Sequence, residues 1–236
     1  MMTTRPIDAV LLDMDGTVLN SIRSAERIWG EWAADHGLDV EAFLPTIHGV
    51  QSVETIRRLA IPDMDPLVEA AKITQAERED VEGIEAIAGA AEFLAALADY
   101  SWAIVTSAPR DLALSRFGAA GLPMPPLLIA AEDVERGKPA PDCFHLAAKR
   151  LATTADRCLV LEDSVAGVQA AEASGALVLV VTETHHVPMD VRHPTILDYR
   201  DLAIEKCPDG TLSITRAADD LTGQWISYVL RAPILD

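Results

Sequence analysis

The stretch Ile7-Asp8-Ala9-Val10-Leu11-Leu12-Asp13-Met14-Asp15-Gly16-Thr17 runs from a short apolar segment into two carboxylates and a glycine turn. Residues 7–12 read as a strand, and Gly16 lets the backbone turn tightly after it. Similar apolar runs recur at residues 102–105, 127–130, 158–161 and 177–181. Amphipathic stretches at 86–98, 111–119, 142–151 and 165–174 read as helices between most of them. Pro and Gly punctuate the junctions, as at 123–126 and 137–141. This alternation predicts an α/β fold of βα units on a mostly parallel sheet.

Two regions depart from the alternation. From Ser21 to Ala86 the pattern is helical, clearest at 25–36 and 53–59, with no convincing strand. Ordinary crossovers are short, so the block reads as an inserted helical subdomain. After Tyr199, Leu202 and Ile204, then Leu212 and Ile214, alternate with polar residues around Pro208-Asp209-Gly210, a hairpin signal. The expected division is a core of residues 1–18 and 88–200, a helical insertion of 19–87, and a C-terminal hairpin and tail, 201–236, attached to the core.

A chain of 236 residues, 50% hydrophobic and 24% charged, has ample material for such a core. Its formal charge of −18 disfavours nucleic acid and anionic membranes as partners. A small anionic substrate is still compatible, because a local lysine and a metal can override the overall field. Cys143, Cys158 and Cys207 are widely spaced and odd in number, which predicts neither a disulfide framework nor a zinc site. With no secretion signal and no run long enough for a membrane span, a cytoplasmic monomer or weak homo-oligomer is expected.

In open parallel sheets, functional residues gather at the carboxyl ends of strands. Those ends carry Asp13-Met14-Asp15-Gly16-Thr17, Thr106-Ser107, Arg136-Gly137-Lys138-Pro139 and Glu162-Asp163-Ser164. Each set alone has a bland reading: a turn, a helix cap, an exposed lysine, a helix N-terminus with favourable acids. A calcium loop is excluded, because Ser24 stands where its bidentate Glu is needed. Together they suit a phosphate monoester. Asp13 could attack phosphorus and form an aspartyl-phosphate. Mg²⁺ held by Asp13, Asp163 and the Asp15 carbonyl, with Glu162 beside them, would relieve the anionic repulsion. Lys138 would add charge at the phosphoryl group, and Thr106, Ser107 and Gly16, with neighbouring backbone N–H groups, would hold its oxygens. Asp15 could protonate the leaving alcohol and then deprotonate water. Phosphate-loop, dinucleotide, zinc-protease and serine-hydrolase motifs are absent, and the six histidines show no ligand spacing. His185-His186 is expected in a solvated loop.

On these residues the chain resembles the haloacid dehalogenase-like hydrolase superfamily over nearly its whole length. Asp13–Thr17 resembles the first motif, Thr106 the second, Lys138 the third and Glu162-Asp163 the fourth. The resemblance implies a Rossmann-like core, a mobile helical cap and Mg²⁺. Asp15 is similar to the acid/base of the phosphatases and phosphomutases. The segment from Thr106 to Asp111 and His48-Gly49 near Thr55-Ile56 resemble the bacterial sugar- and polyol-phosphate phosphatases. Asn20 and Val50-Gln51 depart from the pattern, the latter by lacking a basic residue that relatives often carry. His48, Gln51 and Arg110 are the expected substrate contacts. A hexose-phosphate mutase of the same family and a non-catalytic binding protein are the rival expectations.

Overall fold

Successive side chains of a strand point to opposite faces, so an unbroken apolar run needs an apolar layer on each side. The computed structural model, which describes residues 3–185, 189, 192–216 and 226–232, meets that requirement. In chain order, β1 (Thr3–Ile7), β2 (Ala9–Leu12) and β3 (Leu19–Asn20) lead into α1 (Ile22–Asp35), α2 (Val40–Phe43), α3 (Ser52–Leu59) and α4 (Pro66–Glu79). Next come β4 (Glu85–Ala86), α5 (Ala90–Ala96), β5 (Trp102–Val105), α6 (Arg110–Ala119), β6 (Leu128–Ile129) and α7 (Asp142–Arg150). The rest is β7 (Cys158–Glu162), α8 (Val165–Ser174), β8 (Leu177–Val181), β9 (Thr195–Ile196), β10 (Leu202–Lys206), β11 (Leu212–Arg216) and β12 (Ile226–Leu230).

Six strands form a parallel sheet in the order β6-β5-β2-β7-β8-β9. Val10, Leu12, Ile104, Leu159 and Leu161 enter one buried cluster with Phe93 and Phe117. Ala9, Leu11, Val105 and Val160, on the opposite face, join Phe144, Ala147 and Ala171 in another. Each fully buried Leu or Val contributes about 1.5–3 kcal/mol, so register in the central strands is tightly specified. The chain fills positions to one side of β2 with β5 and β6, then returns to its other side with β7. That reversal opens a crevice at the carboxyl end of β2.

The strand expected over residues 7–12 is in fact two. Asp8 is the break: its carboxylate accepts from Arg157 Nε, from Arg157 Nη2 at 2.7 Å and from Thr153 Oγ1 at 3.1 Å. β1 leaves the parallel sheet there and joins a second sheet of order β1-β12-β11-β10. The expected hairpin is present as β10 and β11, with Leu202 opposite Arg216 and Lys206 opposite Leu212, but within this larger sheet. The helix expected over 86–98 is shorter, because β4 occupies its start and Gly89, at φ +77°, precedes α5.

Helices α1–α4 enclose a separate cluster of Trp29, Trp32, Ala33, Phe43, Ile47, Ile56 and Ile73. The Phe43 ring lies 5.8 Å from that of Trp29 and 6.0 Å from that of Trp32. The two ends of this insertion are tied by β3 and β4, where Leu19 pairs with Ala86. Among the described residues, no helix is long and apolar enough to cross a membrane.

Candidate active site

Asp13 follows β2, Thr106 follows β5 and Glu162 ends β7. Leu12 is in register with both Ile104 and Leu161, so these three strand ends are level. Lys138 enters from the loop before α7 and is buried. Its Nζ donates to Asp13 Oδ1, to Glu162 Oε1 at 2.6 Å and to the Val105 carbonyl at 3.0 Å, which uses all three ammonium protons. The other Glu162 oxygen accepts from the backbone N–H groups of Asp163 and Ser164, both at 2.9 Å, and from Ser164 Oγ at 3.1 Å. Glu162 is thereby held on Lys138 and on the turn that carries Asp163.

Asp13, Glu162 and Asp163 each bring a carboxylate oxygen within 4.8 Å of the others, and all three are buried. Burial pushes the Asp13 carboxyl up to about 7; Lys138 pulls the other way, and the Glu162 and Asp15 charges add to the rise. Burial, reinforced by Glu162 and Asp13, holds Asp163 well above the usual carboxylate range. Burial opposes the charge on Lys138, but Asp13 and Glu162 outweigh it and hold its pKa above the ordinary lysine value. Three carboxylates facing one lysine form a hard-oxygen donor set with excess negative charge, and such a set fits Mg²⁺.

The loop after β2 packs onto this cluster. Gly16, at φ +84°, lies directly against Asp163, and Thr17 Oγ1 donates to Asp163 Oδ1 at 3.3 Å. A cavity of about 80 Å³ adjoins it, walled on the core side by Asp13, Asp15, Thr106, Ser107 and Asp163, and on the helical side by Trp29, His48, Gly49 and Glu77. Asp15 Oδ1 accepts from Ser21 Oγ at 2.5 Å and from Arg116 Nη1 at 2.9 Å. Thr106 Oγ1 accepts from the Ala108 N–H at 3.0 Å, shaping the turn into α6. Ser107 Oγ donates to the Gly49 carbonyl at 2.9 Å, which seats the helical insertion on the core.

Of the residues expected from sequence, Asp13, Asp15, Gly16, Thr106, Ser107, Lys138, Glu162 and Asp163 converge here, and His48 lines the cavity beside Glu26 at 3.4 Å. Gln51 and Arg110 do not line it. The Gln51 amide donates to the Ala131 carbonyl at 3.1 Å. Arg110 sits at the start of α6 and turns outward to Asp133 and the Leu128 carbonyl. His185 is not a solvated loop residue: it is half-buried, with Nε2 2.7 Å from the Asp163 carbonyl. His186 lies outside the described residues.

Arg116 and Glu77 were not expected from sequence. A signal for both existed: Arg116 shares a face of α6 with buried Leu112, Ala113 and Phe117, and Glu77 follows buried Ile73 by four residues in α4. A charge on a helix's apolar face needs a buried partner. Here each is the other's partner, at 3.1 Å.

A parallel sheet with an aspartate at its switch point, backed by a lysine and two further acids, defines a Rossmann-like α/β scaffold with its polar groups gathered at one sheet edge. The chain belongs to the haloacid dehalogenase-like hydrolases, whose family profile matches residues 7–175, and it is an enzyme of that family. It is 36% identical to hexitol phosphatase A of Escherichia coli (strain K12) over 209 residues, covering 86% of this chain and 97% of the relative. It is 30% identical to a fructose-1-phosphate phosphatase of the same strain over 183 residues, covering 70% and 92%. A solved hydrolase from Pseudomonas syringae superposes with a TM-score of 0.67 at 27% identity, covering 75% of this chain and 84% of that one.

Proposed function

We propose that the chain hydrolyses small phosphate monoesters of sugars or polyols with Mg²⁺, through an aspartyl-phosphate on Asp13. The observation that carries this reading is the meeting of Asp13, Lys138 and Asp163 beneath a cavity whose wall includes Asp15. The activities named for the relatives point to the same class of ester.

In the first step an Asp13 oxygen attacks phosphorus, the ester P–O bond breaks, and Asp15 passes a proton to the departing alcohol oxygen. In the second, Asp15 takes a proton from water as its oxygen attacks phosphorus, the bond to Asp13 breaks, and phosphate leaves. Lys138 and the N–H groups beside Thr106 and Ser107 stabilise the phosphoryl oxygens. Asp13, Asp163 and the Asp15 carbonyl would hold Mg²⁺, with Glu162 beside them, and the bound ion would offset repulsion between carboxylate and phosphate. Residues 19–87 act as a cap that excludes water over a core of 1–18 and 88–200, and 201–236 attach to that core.

A mutase that handles a bisphosphate needs a cation for its second phosphate. Arg116, engaged by two carboxylates, lines the cavity, as does the His48 imidazole, 3.4 Å from Glu26. This favours a leaving group rich in hydroxyls and without a second charge. The test is phosphate release from hexitol and hexose monophosphates with Mg²⁺, set against isomer formation. Release that vanishes in Asp13→Asn supports the reading. Isomers without released phosphate, or an active Asp13→Asn, overturn it.

A further inference from the structure

We propose that Arg116 is a positioning residue for Asp15, and that Glu77 on the helical insertion sets the place of Arg116, so that seating the insertion and aiming the acid/base are one event. The proposal rests on the phosphatase reading above.

The guanidinium of Arg116 bridges two parts of the fold. Nη1 donates to Asp15 Oδ1 at 2.9 Å on the core side, and Nη2 donates to Glu77 Oε1 at 3.1 Å on α4. Arg116 is only 5% exposed and Glu77 only 4%, so their pair is shielded from solvent, while the Asp15 side chain is 28% exposed. Both bonds to the Asp15 carboxylate, from Arg116 and from Ser21 Oγ, fall on Oδ1. The other oxygen, Oδ2, is then the one presented for proton transfer. A carboxylate held by two donors on one oxygen has lost most of its freedom about the Cβ–Cγ bond, and a reacting group needs that preorganisation.

The fork geometry matters as much as the charge. Asp15 and Glu77 are taken by separate nitrogens of one planar guanidinium, a fork that the single nitrogen of a lysine does not reproduce. Displacement of α4 would carry Glu77 away and leave Arg116 with Asp15 as its one carboxylate partner.

Proton donation matters for a poor leaving group such as an alkoxide and far less for 4-nitrophenolate. The specificity constant kcat/KM reports the step in which the ester bond breaks, before water is activated. The experiment therefore compares kcat/KM for a hexitol phosphate and for 4-nitrophenyl phosphate in wild type, Arg116→Lys and Glu77→Gln, with thermal melts of all three. General acid catalysis is worth about 10²–10⁴-fold, so misaiming Asp15 in Arg116→Lys is expected to cost about tenfold or more on the hexitol ester and less than about threefold on the aryl ester. Glu77→Gln touches Arg116 but not Asp15, and keeps the fold testable should Arg116→Lys melt early. It is expected to show the same selective loss, smaller in size. Equal losses on both esters, or none on either, in folded Glu77→Gln and Arg116→Lys overturn the positioning role while the phosphatase reading stands. A wild-type protein that releases phosphate from neither ester overturns that reading and the proposal with it.

Discussion

A β-carbon added to Gly16 would stand 1.9 Å from Asp163 Oδ2, so the loop after β2 and the acid that follows β7 fit together only because residue 16 has no side chain. Its φ of +84° makes the same demand independently. Gly16→Ala is expected to lose about 1–2 kcal/mol from the backbone conformation alone. It must also push Asp163 aside, and misplacement by about 1 Å costs about 10²-fold in rate. Urea unfolding and turnover, measured together, check both effects; near-normal turnover would show that Asp163 can move without harm.

Lys138 is the buried counter-charge for Asp13 and Glu162. Removing one member of such a buried group strands the others, at about 3–5 kcal/mol. Lys138→Met should therefore be both inactive and markedly less stable. Equilibrium denaturation at neutral pH reads the loss, and an unchanged midpoint would contradict it.

The crowding of Asp13, Glu162 and Asp163 also predicts coupling between metal and stability. A ligand that binds only the folded state at 100 times its Kd stabilises by about 2.7 kcal/mol. Wild-type protein should melt higher as Mg²⁺ is raised, and Asp163→Asn should lose most of that rise. Chelation should stop turnover and added Mg²⁺ restore it. A rise that Asp163→Asn keeps would place the ion elsewhere, and a melt indifferent to Mg²⁺ would mean that the folded protein does not bind it.

Asp8 makes a prediction about pH that is separate from catalysis. Its hydrogen bond to Arg157 holds its carboxyl below the ordinary value of 3.8, against a smaller opposing effect of burial. A lowered folded-state pKa contributes stability above the unfolded value and loses it as pH falls through the folded one. The pair is partly solvated, so Asp8→Asn should cost about 1 kcal/mol at pH 7. The difference from wild type should shrink below about pH 4, as thermal melts across pH would show. A gap that stays constant to pH 2 would mean that charge is not what Asp8 contributes.

Much of the fold was legible because a strand buried on both faces has a plain one-dimensional signature. The runs at 102–105 and 177–181 carry no polar interruption, and they fall where β5 and β8 lie. The break at Asp8 was not legible. One polar residue in an apolar run looks the same whether it sits at a strand edge or marks a change of sheet, and only Arg157, 149 residues away, distinguishes the two.

The site divides along the same line. Asp13, Thr106, Lys138 and Asp163 could be named in advance because parallel βα topology delivers strand ends to one edge, whatever the loops do. Gln51 and Arg110, expected as substrate contacts, turn away from the cavity, since nearness in sequence to Gly49 and Thr106 does not say which way a side chain turns. Arg116 and Glu77, 39 positions apart, meet only because α4 packs on α6. Sequence was thus sufficient for the chemistry offered at the strand ends, because periodicity and turn residues are local. What holds Asp15 in place was decided by the packing of one helix on another, which is a property of the folded chain and not of any segment in it.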